Sequence, residues 1–323
     1  MVKEMVNGRV VERMVQFTAQ AKDLGGGVKV RRLLPAAQRQ GIGPFLFLDH
    51  FGPLEIRPRD VREVQTHPHI GISTVTYLFE GALQHRDSLE RSQRIAAGSV
   101  NWMTAGCGIA HSESAPEDLA HSRYVNHGVQ LWAALPIGHE EDEPDFCHVA
   151  AADVPQARVG DAQVRVLAGA AFGCQSPVSP LLAAVCLDVT LPKGGVFELP
   201  ALAQELGVYT VDADVAVDSE PVPLHTLALL PPGQTCTISN PSTNEPCRLL
   251  VFGGDPLDAP RFMWWNFVSS RKERVAEAAQ QWSAHAFGYV VGDSGIVALP
   301  DQRGRKDRRG NRRSSVPAKD RRD

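Results

Sequence analysis

Two short motifs of the same period constrain this chain more than anything else in it. The stretch 67–113 opens with His67-Pro68-His69 and closes with His111-Ser112-Glu113, and glycine-punctuated, strand-like sequence runs between them. In an extended strand, residues i and i+2 share a face, so each motif would present two potential metal ligands to one side. Brought side by side in a barrel, the two strands would converge three imidazoles and one carboxylate. A lone His-x-His is weak in a chain with 11 histidines, since two half-exposed histidines on a loop strand read the same way. The second motif shifts that weight. It follows the tight turn Thr104-Ala105-Gly106-Cys107-Gly108, whose glycines permit a sharp bend. Pro68 cannot donate a ladder hydrogen bond, which favours an edge or barrel-mouth strand. Neutral imidazole suits iron, copper, nickel and zinc, and a carboxylate adds a hard ligand suited to Fe(II) or Mn(II). Four such ligands on a six-coordinate ion leave two positions open, as catalysis needs and a closed structural site lacks.

The surrounding sequence predicts an all-β chain. Phe45–Phe51 is a compact apolar run ended by Gly52-Pro53, and His127–Leu135 is a second strand ended by Pro136. Beyond residue 146, short strand-like runs (164–167, 183–190, 226–230, 235–238, 248–252) are separated by turns such as Lys193-Gly194-Gly195 and Pro231-Pro232-Gly233. Many short strands with Gly/Pro turns indicate a sandwich or barrel. Near the N-terminus, Val10-Val11 and Val28-x-Val30 read as strands around a turn at Gly25-Gly26-Gly27. One helix is expected: Ser270 and Glu273 form a capping-box pattern, and Val275, Ala278, Ala279 and Trp282 recur at helical spacing. The acidic run Glu140–Asp145 is the expected linker. That gives domains at 1–138 (metal site) and 139–290 (no metal), followed by a basic, disordered tail at 291–323.

Composition excludes several classes. No apolar run approaches the roughly 18 residues that span a bilayer, and the N-terminus lacks a signal-peptide pattern, so a cytoplasmic protein is expected. Six dispersed cysteines (107, 147, 174, 186, 236, 247) include no Cys-x-x-Cys pair, which suits reduced, mostly buried thiols. The net charge of −4 conceals an asymmetry: residues 303–323 carry ten Lys/Arg against three Asp, or +7, and the remainder is −11. The tail is read as solvated charge. Nucleic acid or an acidic partner is the competing reading, and no folded nucleic-acid-reading module accompanies it.

The runs His67-Pro68-His69, Thr74-Val75-x-Tyr77-Leu78-x-Glu80-Gly81, Trp102–Glu113 and Gly128-Val129-Gln130-Leu131-Trp132 resemble the pirin family. The similarity extends to Phe45–Phe51 and to Gly253–Leu257 with the helix beyond, covering most of residues 5–287. It implies two cupin domains, each a small antiparallel β-barrel, with a C-terminal helix. The family's metal ligands fall on His67, His69, His111 and Glu113, and the implied cofactor is one divalent ion, Fe(II) first, with Cu, Ni, Mn and Zn as alternatives. Some members cleave quercetin with O2, which implies an aromatic enol substrate; an animal member is an iron-dependent transcriptional cofactor, which implies a redox-responsive regulator with a protein partner. The resemblance also suggests a monomer. A sugar-type isomerase or metal-free cupin binder is a third reading. Many members read His-Pro-His-Arg-Gly-Phe-Glu where this chain continues with Ile70-Gly71-Ile72-Ser73, and an Arg is common where Cys107 stands. Charged groups around a metal tune it and orient its ligands, so these departures bear on substrate and redox behaviour.

Several further residues carry expectations. Glu113, if it loosens from the metal, is the candidate base that removes a substrate hydroxyl proton. His85 is read as a surface-loop histidine in preference to a pocket donor. Trp132 is read as core, and Gln130 on the same face as an even choice between pocket lining and packing. Cys107 is a candidate redox-sensitive neighbour of the metal only if a positive charge lowers its pKa. Met263–Phe267 is expected in an interdomain core. His139, His148, His225 and His285 form no paired motif.

Overall fold

The computed structural model describes residues 2–300 apart from 7–8, 25–27, 59, 61–62 and 294. The Gly25–Gly27 turn and residues 301–323 of the expected tail lie outside the described residues, whereas Ile296, expected in the disordered tail, bridges Thr66. Two antiparallel β-barrels are built alike, each from a seven-stranded sheet facing a four-stranded one. In the first barrel the large sheet runs, in spatial order, through strands 145–149, 100–104, 72–80, 124–134, 45–56, 29–34 and 20–23. The small sheet runs through 92–96, 82–87, 109–114 and 64–69.

Strand pairing does not follow the boundary expected at 138/139. Asp145–Val149, placed in the linker and second domain by sequence, pairs with Val100–Thr104 and closes one edge of the first large sheet. Conversely, Val15–Thr18 pairs with Thr226–Leu229 and closes an edge of the second. Each barrel thus uses a strand from beyond its own stretch of sequence to cover an edge whose N–H and C=O groups would otherwise lack partners. The acidic run is pinned, not loose. Glu140 is buried, accepts hydrogen bonds from Ser269 Oγ and the Ser270 N–H (both 2.7 Å), and pairs with Arg261 Nε at 2.9 Å.

The two large sheets pack against each other. Leu48, Val75 and Leu131 from the first meet Tyr209, Leu250 and Phe252 from the second in one cluster, with Phe45 edge-on to Phe252 at 5.4 Å. This explains the near-continuous apolar runs noted above. A strand buried on both faces cannot alternate apolar with polar, and every side chain from Phe45 to His50 is buried. Burying each large side chain contributes about 1.5–3 kcal/mol. The opposite face of the first large sheet forms the interior of its barrel, where Leu46, Phe47, Ile72, Met103 and Trp132 pack.

The expected helix forms at Lys272–Ser283 and buries Val275, Ala278, Ala279 and Trp282 as its spacing predicts. Its capping box does not form. Arg271 is the N-cap residue, no side chain caps the helix, and the Ser270 hydroxyl donates to Glu140 instead. The hairpin Phe262–Trp264/Phe267–Ser269 precedes the helix. Phe267 and Trp282 then pack on Ile70 and Ala110, the outward-facing neighbours of His69 and His111. Trp264, Trp265 and Phe267 therefore cover the outside of the first barrel's small sheet, and Met263 packs on the Leu46–Trp132 cluster, so the run does not lie in the interdomain core expected.

Candidate metal centre

The four-stranded sheet places the two sequence motifs on adjacent antiparallel strands, Val64–His69 and Ile109–Ser114, with His111 directly opposite His67. Directly paired residues share a face, and alternation adds His69 to it. One ligand nitrogen from each of His67, His69 and His111 lies within 4.8 Å of the other two, and all three residues are buried. Their ring centroids are 4.3–5.1 Å apart. The ladder slips between His111 and Glu113, so Glu113 faces Val64; such a bulge re-aims a side chain locally.

The ring nitrogens are ordered for ligation. His67 Nδ1 donates to the Gln65 carbonyl at 2.8 Å and His69 Nδ1 to the Asn266 carbonyl at 3.2 Å, which leaves Nε2 of each as the bare nitrogen. Burial lowers the pKa of His67 to about 4, and those of His69 and His111 lie well below the ordinary value for the same reason, reinforced by neighbouring histidines. All three are neutral at physiological pH, the form that binds metals. His111 supplies the test of fit. Both of its ring nitrogens are buried without any hydrogen-bond partner, and leaving a buried polar group unpaired costs about 1–3 kcal/mol. An ion bound between the three imidazoles would give one of those nitrogens its partner. The residues present fit a divalent metal.

Glu113 is buried beside the triad, and its Oε1 accepts from Thr76 Oγ1 (3.1 Å) and Gln130 Nε2 (3.0 Å), both on the large sheet. Burial raises its pKa, while His85 and the two hydrogen bonds oppose that rise. The close group of three does not extend to its oxygens. Gln130 is therefore a pocket residue that holds Glu113. Trp132 is core and pocket at once: it stacks on Phe47 at 3.9 Å, meets the His69 ring at 5.0 Å, and keeps a buried indole N–H without a partner.

His85 is not a surface residue. It lies opposite Glu113 on the Ala82–Asp87 strand, 3% exposed, with its ring centroid 5.2 Å from that of His111. Its Nε2 donates to Asp87 Oδ2 at 3.1 Å. Burial pushes the Asp87 carboxyl up, but the His85 hydrogen bond and the Arg91 and Leu89 N–H groups hold it below its ordinary value. The sequence signal was available: His85-x-Asp87 repeats the period of the two ligand motifs.

Of the departures from the common family pattern, Ile72 packs in the barrel interior with Trp132, whereas Ile70 and Ser73 point away from the centre. Ile70 packs outward on Phe267 and the helix, and Ser73 shares the interdomain face of its strand with Val75 and Tyr77. Cys107 is no activated thiol: burial, Glu143 and Glu141 raise its pKa, and Arg274 does not offset them. All six cysteines are free. Of the second-domain histidines, His225 meets another cluster, in which the buried His50 joins His127 Nε2 (2.7 Å) within the first barrel and Tyr209 Oη (2.6 Å) across the interface. Among the described residues, His67, His69 and His111 form the one close group of three or more potential ligands. No helix among the described residues is long and apolar enough to cross a membrane.

Two cupin barrels, one holding a buried trio of metal-competent histidines, define the class of protein. Comparison with known sequences narrows it: the pirin family model matches residues 27–133 and the pirin C-terminal cupin domain model matches 186–288. A pirin-like protein of Caulobacter vibrioides is 39% identical over 289 residues, spanning 88% of this chain and 98% of that one. The chain belongs to the pirin family. Among solved structures, a quercetin 2,3-dioxygenase from Acinetobacter baumannii superposes with a TM-score of 0.80 at 32% identity, covering 90% of this chain and 96% of that one. The bacterial pirin YhhW from Escherichia coli, solved with nickel(II), shares the fold at 16% identity and a TM-score of 0.60, covering 76% and 100%.

Proposed function

We propose that this protein is a metal-dependent dioxygenase that opens a flavonol-like enol such as quercetin, with Fe(II) as the resident ion. The observation that carries the reading is the buried triad whose His111 has two unpartnered ring nitrogens. The solved quercetin 2,3-dioxygenase at 32% identity supports the substrate class. His67, His69 and His111 would hold the ion, with Glu113 as fourth ligand. When bound, the ion supplies Lewis-acid stabilisation of the substrate enolate and a place for O2 to react.

The chain's own residues do the rest. Glu113 receives the proton of the enol hydroxyl, and Thr76 and Gln130 steady its carboxylate at the stated distances. Trp132, stacked on Phe47 and set nearly edge-on to the His69 ring, gives the centre an apolar aromatic neighbour on that side. The outer cover of Phe267, Trp282 and Phe287 keeps bulk water from the back of the small sheet, which strengthens electrostatic contacts inside.

The test is O2 uptake and carbon monoxide release by anaerobically purified, iron-loaded protein given quercetin. One CO per O2 consumed is expected. No turnover with iron, copper, nickel or manganese would sink the dioxygenase reading, leaving the metal centre standing and favouring a regulator whose partner distinguishes two iron states.

A further inference from the structure

Residues 290–293 and 295–299, beyond both family-model matches, return to the small sheet of the first barrel. The strand Val64–His69 is an edge of that sheet, and it carries two of the three histidines. Ile296 bridges Thr66 in parallel; the Thr66 N–H donates to the Gly295 carbonyl (3.0 Å) and the Val297 N–H to the Thr66 carbonyl (2.9 Å). Thr66 immediately precedes His67 and, by alternation, points outward. Its hydroxyl donates to Asp293 Oδ2 at 2.6 Å. The Ser112 side chain, between His111 and Glu113, is a neighbour of the same carboxylate, and Oδ1 accepts the Gly295 N–H at 3.0 Å. One carboxylate therefore sits behind both ligand-bearing strands and is bonded to the outer one.

The anchoring of this segment is independent of Asp293. Phe287 and Val290 are buried in the cluster that covers Ile70 and Ala110, and the Trp282 indole N–H donates to the Val297 carbonyl at 2.9 Å. The Phe287 ring stands where a side chain at Gly108 would be. The strand's far end is held in the same manner, by the parallel bridge Ile70–Phe267 and the Asn266 carbonyl that orders His69. An edge strand left free can shift along or twist away from its neighbour. Here any such shift would change the separation of His67 from His111.

We infer that residues 290–293 and 295–299 form an outer brace of the metal centre and that Asp293, bonded to Thr66 and beside Ser112, is a positioning residue that fixes the spacing of the two ligand strands. The inference rests on reading the histidine triad as a metal site, and goes beyond it by assigning a role to a chain segment that touches no ligand atom. Groups that orient metal ligands typically change affinity by about 10- to 100-fold when removed. Asp293 acts on the strands and not on an imidazole, so about tenfold is expected.

Co(II) is the probe, because its visible absorption reads ligand geometry as well as occupancy. Affinity is measured by chelator competition on the full chain, and metal-free stability by urea unfolding. Asp293→Ala is expected to weaken Co(II) binding about tenfold and to alter the visible bands. Asp293→Asn, which keeps one acceptor oxygen, should restore most of both. Thr66→Val removes the bond from its other end and should reproduce the Ala result, carrying the test if Asp293→Ala does not fold. Wild-type affinity and spectrum in both Asp293→Ala and Thr66→Val would overturn the brace while leaving the metal centre intact. A wild-type chain that binds no Co(II) would overturn the metal centre and the brace with it.

Discussion

His111 lies directly across the ladder from His67, ring centroids 4.3 Å apart, yet the two imidazoles are unequally satisfied. His67 donates to a backbone carbonyl, whereas His111 has no partner at either nitrogen. The bare nitrogens of the pair are left for a group other than protein.

That asymmetry predicts opposite effects of one substitution in two states. His111→Leu should leave the metal-free protein at least as stable as wild type, because it removes buried unpaired nitrogens costing about 1–3 kcal/mol. Excess Fe(II) or Ni(II) should raise the wild-type unfolding midpoint by mass action and leave the variant's unchanged. Urea unfolding with chelator and with metal checks both. A variant much less stable without metal would mean that His111 serves packing.

Glu113 is held by two neutral donors from the opposite sheet, so its placement depends on side chains far away in sequence. Glu113→Gln should lower kcat with a flavonol by about 100-fold or more, the ordinary worth of a positioned base. Gln130→Leu should cost less, about tenfold, since Thr76 still donates to the carboxylate. Steady-state O2 uptake measures both, and equal losses would mean that Gln130 acts on the substrate directly.

Much of this arrangement was legible in the sequence because strand alternation converts a period of two into a shared face. His67, His69 and His111 needed only that rule and adjacent strands. The apolar runs at Phe45 and Val129 were legible as strands, but not the two faces they serve, because burial on both sides erases the alternation that assigns them. His85 was misplaced because Gln84-His85-Arg86-Asp87 is polar like a loop; its burial depends on Phe146, which stacks on it at 4.8 Å from a strand 60 residues later. The crossing of strands 15–18 and 145–149 between barrels leaves no local mark, since any short strand can satisfy any free edge. The same holds for Asp293, whose partner on the ligand strands is Thr66.

Gly108 illustrates a contact that sequence shows only as a glycine. Its φ is +153° and the Phe287 ring fills its side-chain position. Gly108→Val should displace Phe287 from the outer cluster and destabilise the protein by about 1–3 kcal/mol, the usual cost of overpacking. Urea unfolding of the metal-free protein is the measurement. Adding Phe287→Ala to Gly108→Val should recover part of the loss, whereas two independent sites would give additive losses.

The interface between the barrels should respond to acid through His50 and His127. Burial, the largest cause for each, lowers their pKa values to about 2 and about 4, against 6.5 in an unfolded chain. Below pH 6.5 the unfolded chain takes up protons that the folded protein refuses, so the stability these residues contribute is complete above that value. It is lost as pH falls, down to about 4 for His127 and further for His50. Each proton difference is worth about 1.4 kcal/mol per pH unit. Between pH 7 and 5, His50 should account for about 2 kcal/mol and the partly exposed His127 for about 1 after allowing for solvent screening. Other histidines, including His67 and His225, are also lowered by burial, so the wild-type profile alone does not isolate the pair. His50→Leu/His127→Leu does, because every other group is retained. Its baseline will be lower, since the Tyr209 hydroxyl loses its partner, but its stability should fall less steeply from pH 7 to pH 5, by about 2–3 kcal/mol in total. Parallel profiles for the two proteins would place the acid sensitivity elsewhere.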